Sequence, residues 1–118
     1  MPDRRLRILV VEDEMLVAMN IEDMLLALGH DVAGIASRLG PALQLAREGA
    51  FDLAMLDVNL AGETSFPVAE ILRERGIPFL FATGYGAEGI EEGYRGAPVL
   101  QKPFRERDLQ AALKEAAG

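Results

Sequence analysis

Four places in the chain carry side chains able to do charged-group chemistry, and each directly follows a short strand-like run. Glu12-Asp13-Glu14 follows Leu6–Val11, Asp57 follows Leu53–Leu56, Thr83 follows Ile77–Ala82, and Lys102-Pro103 follows Val99–Gln101. Taken singly, each has a plain structural reading. An acidic residue after a strand commonly caps a helix, a lone Thr caps or is solvated, and Lys-Pro is ordinary loop. Four together at the ends of four such runs point instead to one site. Two carboxylates about 4 Å apart repel by about 4 kcal/mol at an effective dielectric of ~20. Glu12, Asp13 and Asp57 brought together therefore require a proton or a cation, and Lys102 neutralises only part of their charge. A hard divalent ion with oxygen ligands suits them, and Mg²⁺ in particular keeps several waters and binds through one or two carboxylates. A metal there lets an anionic phosphoryl group approach an anionic nucleophile. A carboxylate can attack phosphorus to form an acyl phosphate, a transfer that needs mainly alignment and charge stabilisation.

The elements that must position these groups are legible as alternating patterns. Leu6–Val11 reads as an apolar strand. From Glu14 to Leu28, Val17, Ile21, Met24, Leu25 and Leu28 recur at helical spacing, and Gly29 supplies a stop. Asp31–Ala36 reads as a second strand, Pro41–Glu48 as a short helix with Leu43 and Ala46 inward, and Leu53–Leu56 as a third strand. Phe66–Arg75 is a helix stopped by Gly76, Ile77–Ala82 a fourth strand, Val99–Gln101 a short fifth, and Glu106–Ala117 a last helix. Apolar strands alternating with helices predict an α/β fold: a doubly wound parallel sheet of five strands with helices on both faces, in the order 2-1-3-4-5. In such a sheet, ligands sit beyond the carboxyl ends of the strands, where the four chemical groups fall.

Composition narrows the function classes. A length of 118 residues predicts one domain spanning 1–118, with no stretch left for an output module. A net charge of −7 argues against nucleic acid as a direct partner. The absence of Cys excludes a disulfide scaffold, a thiolate zinc site and a thiol nucleophile. The apolar run from Leu6 is stopped by Glu12-Asp13-Glu14, too soon for an export signal, and no run is long enough to cross a membrane. The expectation is a soluble, cytoplasmic protein.

On Glu12-Asp13, Asp57, Thr83 and Lys102-Pro103-Phe104, the chain resembles a response-regulator receiver domain over essentially its whole length. The resemblance implies the flavodoxin-like receiver fold and a role in two-component or phosphorelay signalling. It implies that Asp57 accepts a phosphoryl group from a histidine kinase or a histidine phosphotransfer protein. Asp13, with Glu12 directly or through water, would hold Mg²⁺ together with Asp57 and the backbone carbonyl of Asn59. Lys102 would pair with the phosphoryl oxygens, Thr83 would hydrogen-bond them in the active state, and Gly84 would leave them room. Lys102-Pro103 would be a cis peptide. A finer resemblance rests on Phe81-Ala82-Thr83-Gly84-Tyr85-Gly86, the mark of a receiver subgroup named for its Phe-Ala-Thr-Gly run, and on Asp57-Val58-Asn59-Leu60-Ala61-Gly62-Glu63. Members of that subgroup are often stand-alone receivers paired with HWE-type kinases. Output would pass through protein partners, and the domain would catalyse its own modification without being a turnover enzyme.

Two positions depart from commoner receivers: Ala61 stands where many have Pro, and Val99 where most have a switch aromatic. Tyr85 is a candidate replacement for that aromatic, or a plain loop residue. Met15 and Met19 lie on the first helix near the acids, where kinases dock on receivers. Gly84 to Gly89 formally matches GxGxxG, but it follows the fourth strand, not the first, which argues against a dinucleotide site. Gly84, Gly86, Gly89, Gly93 and Gly96 predict that the fourth helix is short, frayed or absent without phosphorylation. His30, the single histidine, is expected at the surface. Three rivals stand beside the receiver reading. One is a phosphorylation-independent scaffold, and one is a phosphate sink for a shared kinase. The third is a Mg²⁺-dependent phosphatase with an Asp nucleophile, for which the second Asp is replaced by Asn59.

Overall fold

A computed structural model describes residues 5–84, 90, 92–94 and 96–118. Its elements are β1 (Arg7–Val11), α1 (Met15–Ala27), β2 (Asp31–Ala36), α2 (Leu39–Glu48) and β3 (Leu53–Asp57). Two short strands follow, β4 (Asn59–Leu60) and β5 (Glu63–Thr64), then α3 (Phe66–Arg75), β6 (Phe79–Thr83), a 3₁₀ turn (Glu92–Tyr94), β7 (Val99–Gln101) and α4 (Glu106–Ala117). The main sheet is five-stranded, parallel and ordered β2-β1-β3-β6-β7, which is the expected 2-1-3-4-5 once the small β4–β5 hairpin is set aside.

Side chains alternate across a strand with a period of two, and that period splits the core into two layers. Leu9, Val11, Ala54, Leu56 and Phe81 face Ala42 and Ala46 of α2 and Val68, Ala69 and Leu72 of α3. Ile8, Val10, Leu53, Met55 and Leu80 face Ile21 and Leu25 of α1 and Leu109, Ala112 and Leu113 of α4. The central strands are thus buried on both faces, which is why they read as continuous apolar runs.

Several boundaries move. Helix α2 begins at Leu39, two residues before Pro41, and turns Ala42 and Ala46 fully inward, with Leu43 only partly buried. Strand β6 runs Phe79–Thr83, later than the expected Ile77–Ala82. The β4–β5 hairpin was not expected at all. Its two central residues, Ala61 and Gly62, have φ of 50° and 91°, the pattern of a type I′ turn.

His30 is a correction: it is buried, with 8% exposure, and its Nδ1 accepts the Leu6 N–H at 3.1 Å. The cause is the end of α1. Gly29, at φ 90°, donates to the Leu26 carbonyl at 3.0 Å, and the His30 N–H donates to the Leu25 carbonyl at 2.9 Å. This paired closure turns the chain back under the helix and carries the imidazole against the start of β1. Between β6 and β7, the described residues contain only the 3₁₀ turn at Glu92–Tyr94 as helical structure. Tyr85 and residues 85–89 of the glycine run lie outside the described residues.

Candidate phosphoacceptor and metal site

Strand register alone brings the four chemical groups to one edge. Val11 pairs with Leu56, Asp57 with Ala82, and Thr83 with Gln101. Glu12 therefore lies one step past Val11, level with Asp57, while Thr83 ends β6 beside the start of the Lys102 loop. Backbone bonds carry the ladders past the strand ends. The Glu12 N–H donates to the Ala36 carbonyl at 2.9 Å, Val58 to Ala82 at 3.2 Å, and Lys102 to Thr83 at 2.9 Å. The side chains consequently sit on rigid backbone. The Lys102-Pro103 peptide is cis.

One oxygen from each of Glu12, Asp13 and Asp57 lies within 4.8 Å of the others. Glu12 is 1% exposed, Asp57 8% and Thr83 3%. The Lys102 ammonium donates to Glu12 Oε1 at 2.6 Å and sits 3.4 Å from Asp57 Oδ2, bridging two of the acids. Glu12 Oε2 accepts the Glu14 N–H at 3.1 Å. Asp13 Oδ2 accepts the Ala61 N–H at 3.0 Å. Glu14 itself is exposed and precedes α1 as its cap residue. Asn59 opens β4, two residues beyond Asp57, and its side-chain oxygen accepts the Gly62 N–H at 3.1 Å.

The electrostatics follow from this crowding. Burial and then the Glu12 charge push the Asp57 carboxyl up to about 7, against the opposing pull of Lys102. Burial also pushes Asp13 upward, but hydrogen bonds from the Ala61 N–H and with Asp57 and Glu12 hold it below its ordinary value. Desolvation lowers Lys102, yet its hydrogen bond to Glu12 and the Asp57 charge leave it raised overall. The Lys102 ammonium thus offsets only part of the cluster's negative charge, and the rest favours a proton or a cation. Three carboxylate oxygens gathered this closely are the donor set of a hard divalent cation.

Three further placements bear on the site. Val99 is half-buried and pairs with Phe81 on β7. Tyr94, which no sequence signal singled out, stacks on Phe66 with ring centroids 5.3 Å apart and meets Phe81 edge-on at 6.1 Å. Arg73 lies over the Tyr94 ring at 4.4 Å and donates to the Gly93 carbonyl at 2.6 Å. Tyr94 is thus held within an aromatic cluster on the α3 side of β6. On α1, Met15, Leu16 and Met19 are exposed, and beside them Val17, Asn20 and Ile21 form a groove of about 340 Å³ with Lys102, Pro103 and Phe104. Among the described residues, no helix is long and apolar enough to cross a membrane.

Comparison with known proteins shows the family and the fold. The family profile described as response regulator receiver domain matches residues 8–114. The Phyllosphere-induced regulator PhyR of Methylorubrum extorquens is 33% identical over 119 residues, which cover 97% of this chain and 44% of that protein. The chain thus spans less than half the length of that curated relative. The solution structure of SdrG from Sphingomonas melonis Fr1 is 43% identical with a TM-score of 0.87, covering 97% of this chain and 98% of that one. A structure described as the BeF3-activated conformation of SdrG, from Pseudomonas melonis Fr1, is 44% identical with a TM-score of 0.82, covering 95% of this chain and 96% of that one.

Proposed function

The chain belongs to the response regulator receiver domain family, and on that premise we propose that it is a signalling receiver that accepts a phosphoryl group on Asp57 with Mg²⁺ at the Glu12–Asp13–Asp57 site. The observation that carries this reading is the cluster itself. One oxygen from each of three carboxylates lies within 4.8 Å of the others at the edge of the sheet where Thr83 ends β6. Glu12, Asp13, Asp57 and the Asn59 carbonyl are the groups that would hold Mg²⁺, which supplies charge neutralisation for an incoming phosphoryl group.

The residues then divide the work. One Asp57 carboxylate oxygen attacks phosphorus in line; the new O–P bond forms as the N–P bond of a phosphohistidine on the donor breaks. Lys102, 3.4 Å from Asp57 Oδ2, is within reach of the transferred group's oxygens and stabilises their charge. The Thr83 hydroxyl donates to the same group once it is in place. Gly84 presents no side chain to obstruct it, and a Cβ there would meet nothing within 4 Å. The phosphorylated state then biases a two-state equilibrium of the surface around β6 and β7.

The finer parts of the reading rest on the same residues. The Phe81-Ala82-Thr83-Gly84-Tyr85-Gly86 run supports the Phe-Ala-Thr-Gly subgroup and, with it, a single-domain, cytoplasmic regulator served by an HWE-type histidine kinase or a phosphotransfer protein. The exposed Met15, Leu16 and Met19 beside the groove at Lys102 and Phe104 support donor docking on α1. Output passes to a downstream protein, and self-modification is the domain's only catalysis.

Incubation with Mg²⁺ and acetyl phosphate, read by intact mass, tests the proposal. One added phosphoryl group on the wild type and none on Asp57→Ala is the expected result. No addition to either protein would favour the phosphorylation-independent scaffold. Continuous release of phosphate with turnover would favour the phosphatase.

A further inference from the structure

We propose that the Asn59–Thr64 hairpin is a clasp on the Asp13 carboxylate, with Ala61 as a positioning residue whose N–H sets the direction in which Asp13 presents itself to a metal. The inference rests on the reading of Glu12, Asp13 and Asp57 as a Mg²⁺ site and goes beyond it. In a two-residue hairpin, the amides of the two central residues point away from the ladder and need partners elsewhere. Here both find side chains. Gly62 donates to Asn59 Oδ1 at 3.1 Å, which ties the turn to itself, and Ala61 donates to Asp13 Oδ2 at 3.0 Å, across 48 positions of sequence. The second bond ties the hairpin to the acidic cluster.

The type I′ turn that presents this amide holds Ala61 in an uncommon conformation. Ala61 has φ of 50°, a left-handed conformation that a Cβ disfavours and that Gly tolerates better. A proline could neither adopt that φ nor donate the hydrogen bond. One bound N–H does not use up a carboxylate, which offers about four lone-pair positions over two oxygens. Asp13 keeps capacity to bind a cation while its rotation is restricted. Hydrogen bonds to ligating carboxylates typically contribute 10- to 100-fold to metal affinity. The same hairpin begins at Asn59, whose carbonyl is the remaining protein ligand in the proposed site. Metal binding and the shape of the hairpin are thereby coupled.

The test is calorimetric titration of Mg²⁺ into the full chain. Ala61→Gly keeps the donor and suits the positive φ, so its affinity should stay close to wild type. Ala61→Pro removes both and should bind at least about tenfold more weakly. Equal affinity for Ala61→Pro and wild type would overturn the clasp. A second measurement stands if Ala61→Pro does not fold. In amide NMR spectra of the metal-free protein, the Ala61 proton should sit downfield and move upfield in Asp13→Ala. An Ala61 resonance indifferent to Asp13→Ala would also overturn it. Failure of the wild type to bind Mg²⁺ would instead remove the metal-site reading, leaving the clasp to be decided by the Ala61 resonance alone.

Discussion

Asp57→Asn is expected to stabilise the metal-free protein at about pH 8 and to flatten its stability between about pH 4 and pH 7. Asp57 ionises in the ordinary carboxylate range in the unfolded chain, whereas burial and the Glu12 charge push it up to about 7 in the folded one. Between those values, the folded state holds a proton that the unfolded state has lost. Stability therefore falls as pH rises through this window, and the full penalty is present above it. The shift spans about three pKa units at about 1.36 kcal/mol each. The solvent-facing side of the cluster screens part of that, so a gain of roughly 2–3 kcal/mol is expected for the neutral amide at pH 8, with little gain near pH 4.5. Thermal melts of both proteins across this range measure it. A variant no more stable than wild type at pH 8 would contradict the burial and like-charge account of Asp57. Mg²⁺ should relieve the same strain in the wild type, raising its melting temperature more at pH 8 than at pH 5.5.

Lys102→Ala should act in the opposite direction on the metal-free protein. Glu12 is 1% exposed, and its Oε1 receives the Lys102 ammonium at 2.6 Å. Removing that cation leaves a buried carboxylate beside Asp13 and Asp57 with less counter-charge. Breaking a fully buried pair costs about 3–5 kcal/mol; Lys102 is partly open to solvent, which brings the expected loss to about 2–4 kcal/mol. The ammonium also competes with any metal for Glu12 and Asp57. Mg²⁺ should therefore bind the variant as well as or better than wild type, and should restore more stability to it. Much weaker Mg²⁺ binding by Lys102→Ala would contradict the assignment of the cluster as the cation site. Phosphorylation should nevertheless slow, because the group meant to stabilise the phosphoryl oxygens is gone.

How far the sequence alone reached can be judged residue by residue. The bounds of β2, α3, β7 and α4 coincide with their patterns, and for the two helices the reason is a buried apolar face of period 3.6. The strand order followed from the same alternation. The acids, Thr83 and Lys102 could be placed at one edge because a parallel sheet puts every strand's carboxyl end on the same side. The β4–β5 hairpin was invisible: strands of two residues carry no period, and an Ala at positive φ has no signature. For the same reason, the Ala61 amide could not be foreseen as a partner of Asp13, since backbone donors leave no trace in residue type. His30 looked like a surface residue because it follows a glycine stop, yet the helix closure at Gly29 folds it inward. Tyr94 sits in a glycine-rich stretch without periodicity and is held by Phe66, Phe81 and Arg73, contacts that only the tertiary structure supplies.

The central claim is that Asp57 is the phosphoacceptor, and chemical trapping on the native chain tests it most directly. An acyl phosphate on an aspartate is reduced by borohydride to homoserine, whereas a phosphate ester on Thr or a phosphoramidate on His is not. The wild type, incubated with Mg²⁺ and acetyl phosphate, reduced and digested, should show homoserine at position 57 and nowhere else. The conversion should depend on Mg²⁺. Homoserine at Asp13 or another carboxylate, a phosphoryl group retained on Thr83 or His30, or no modification with Mg²⁺ saturating would contradict the account.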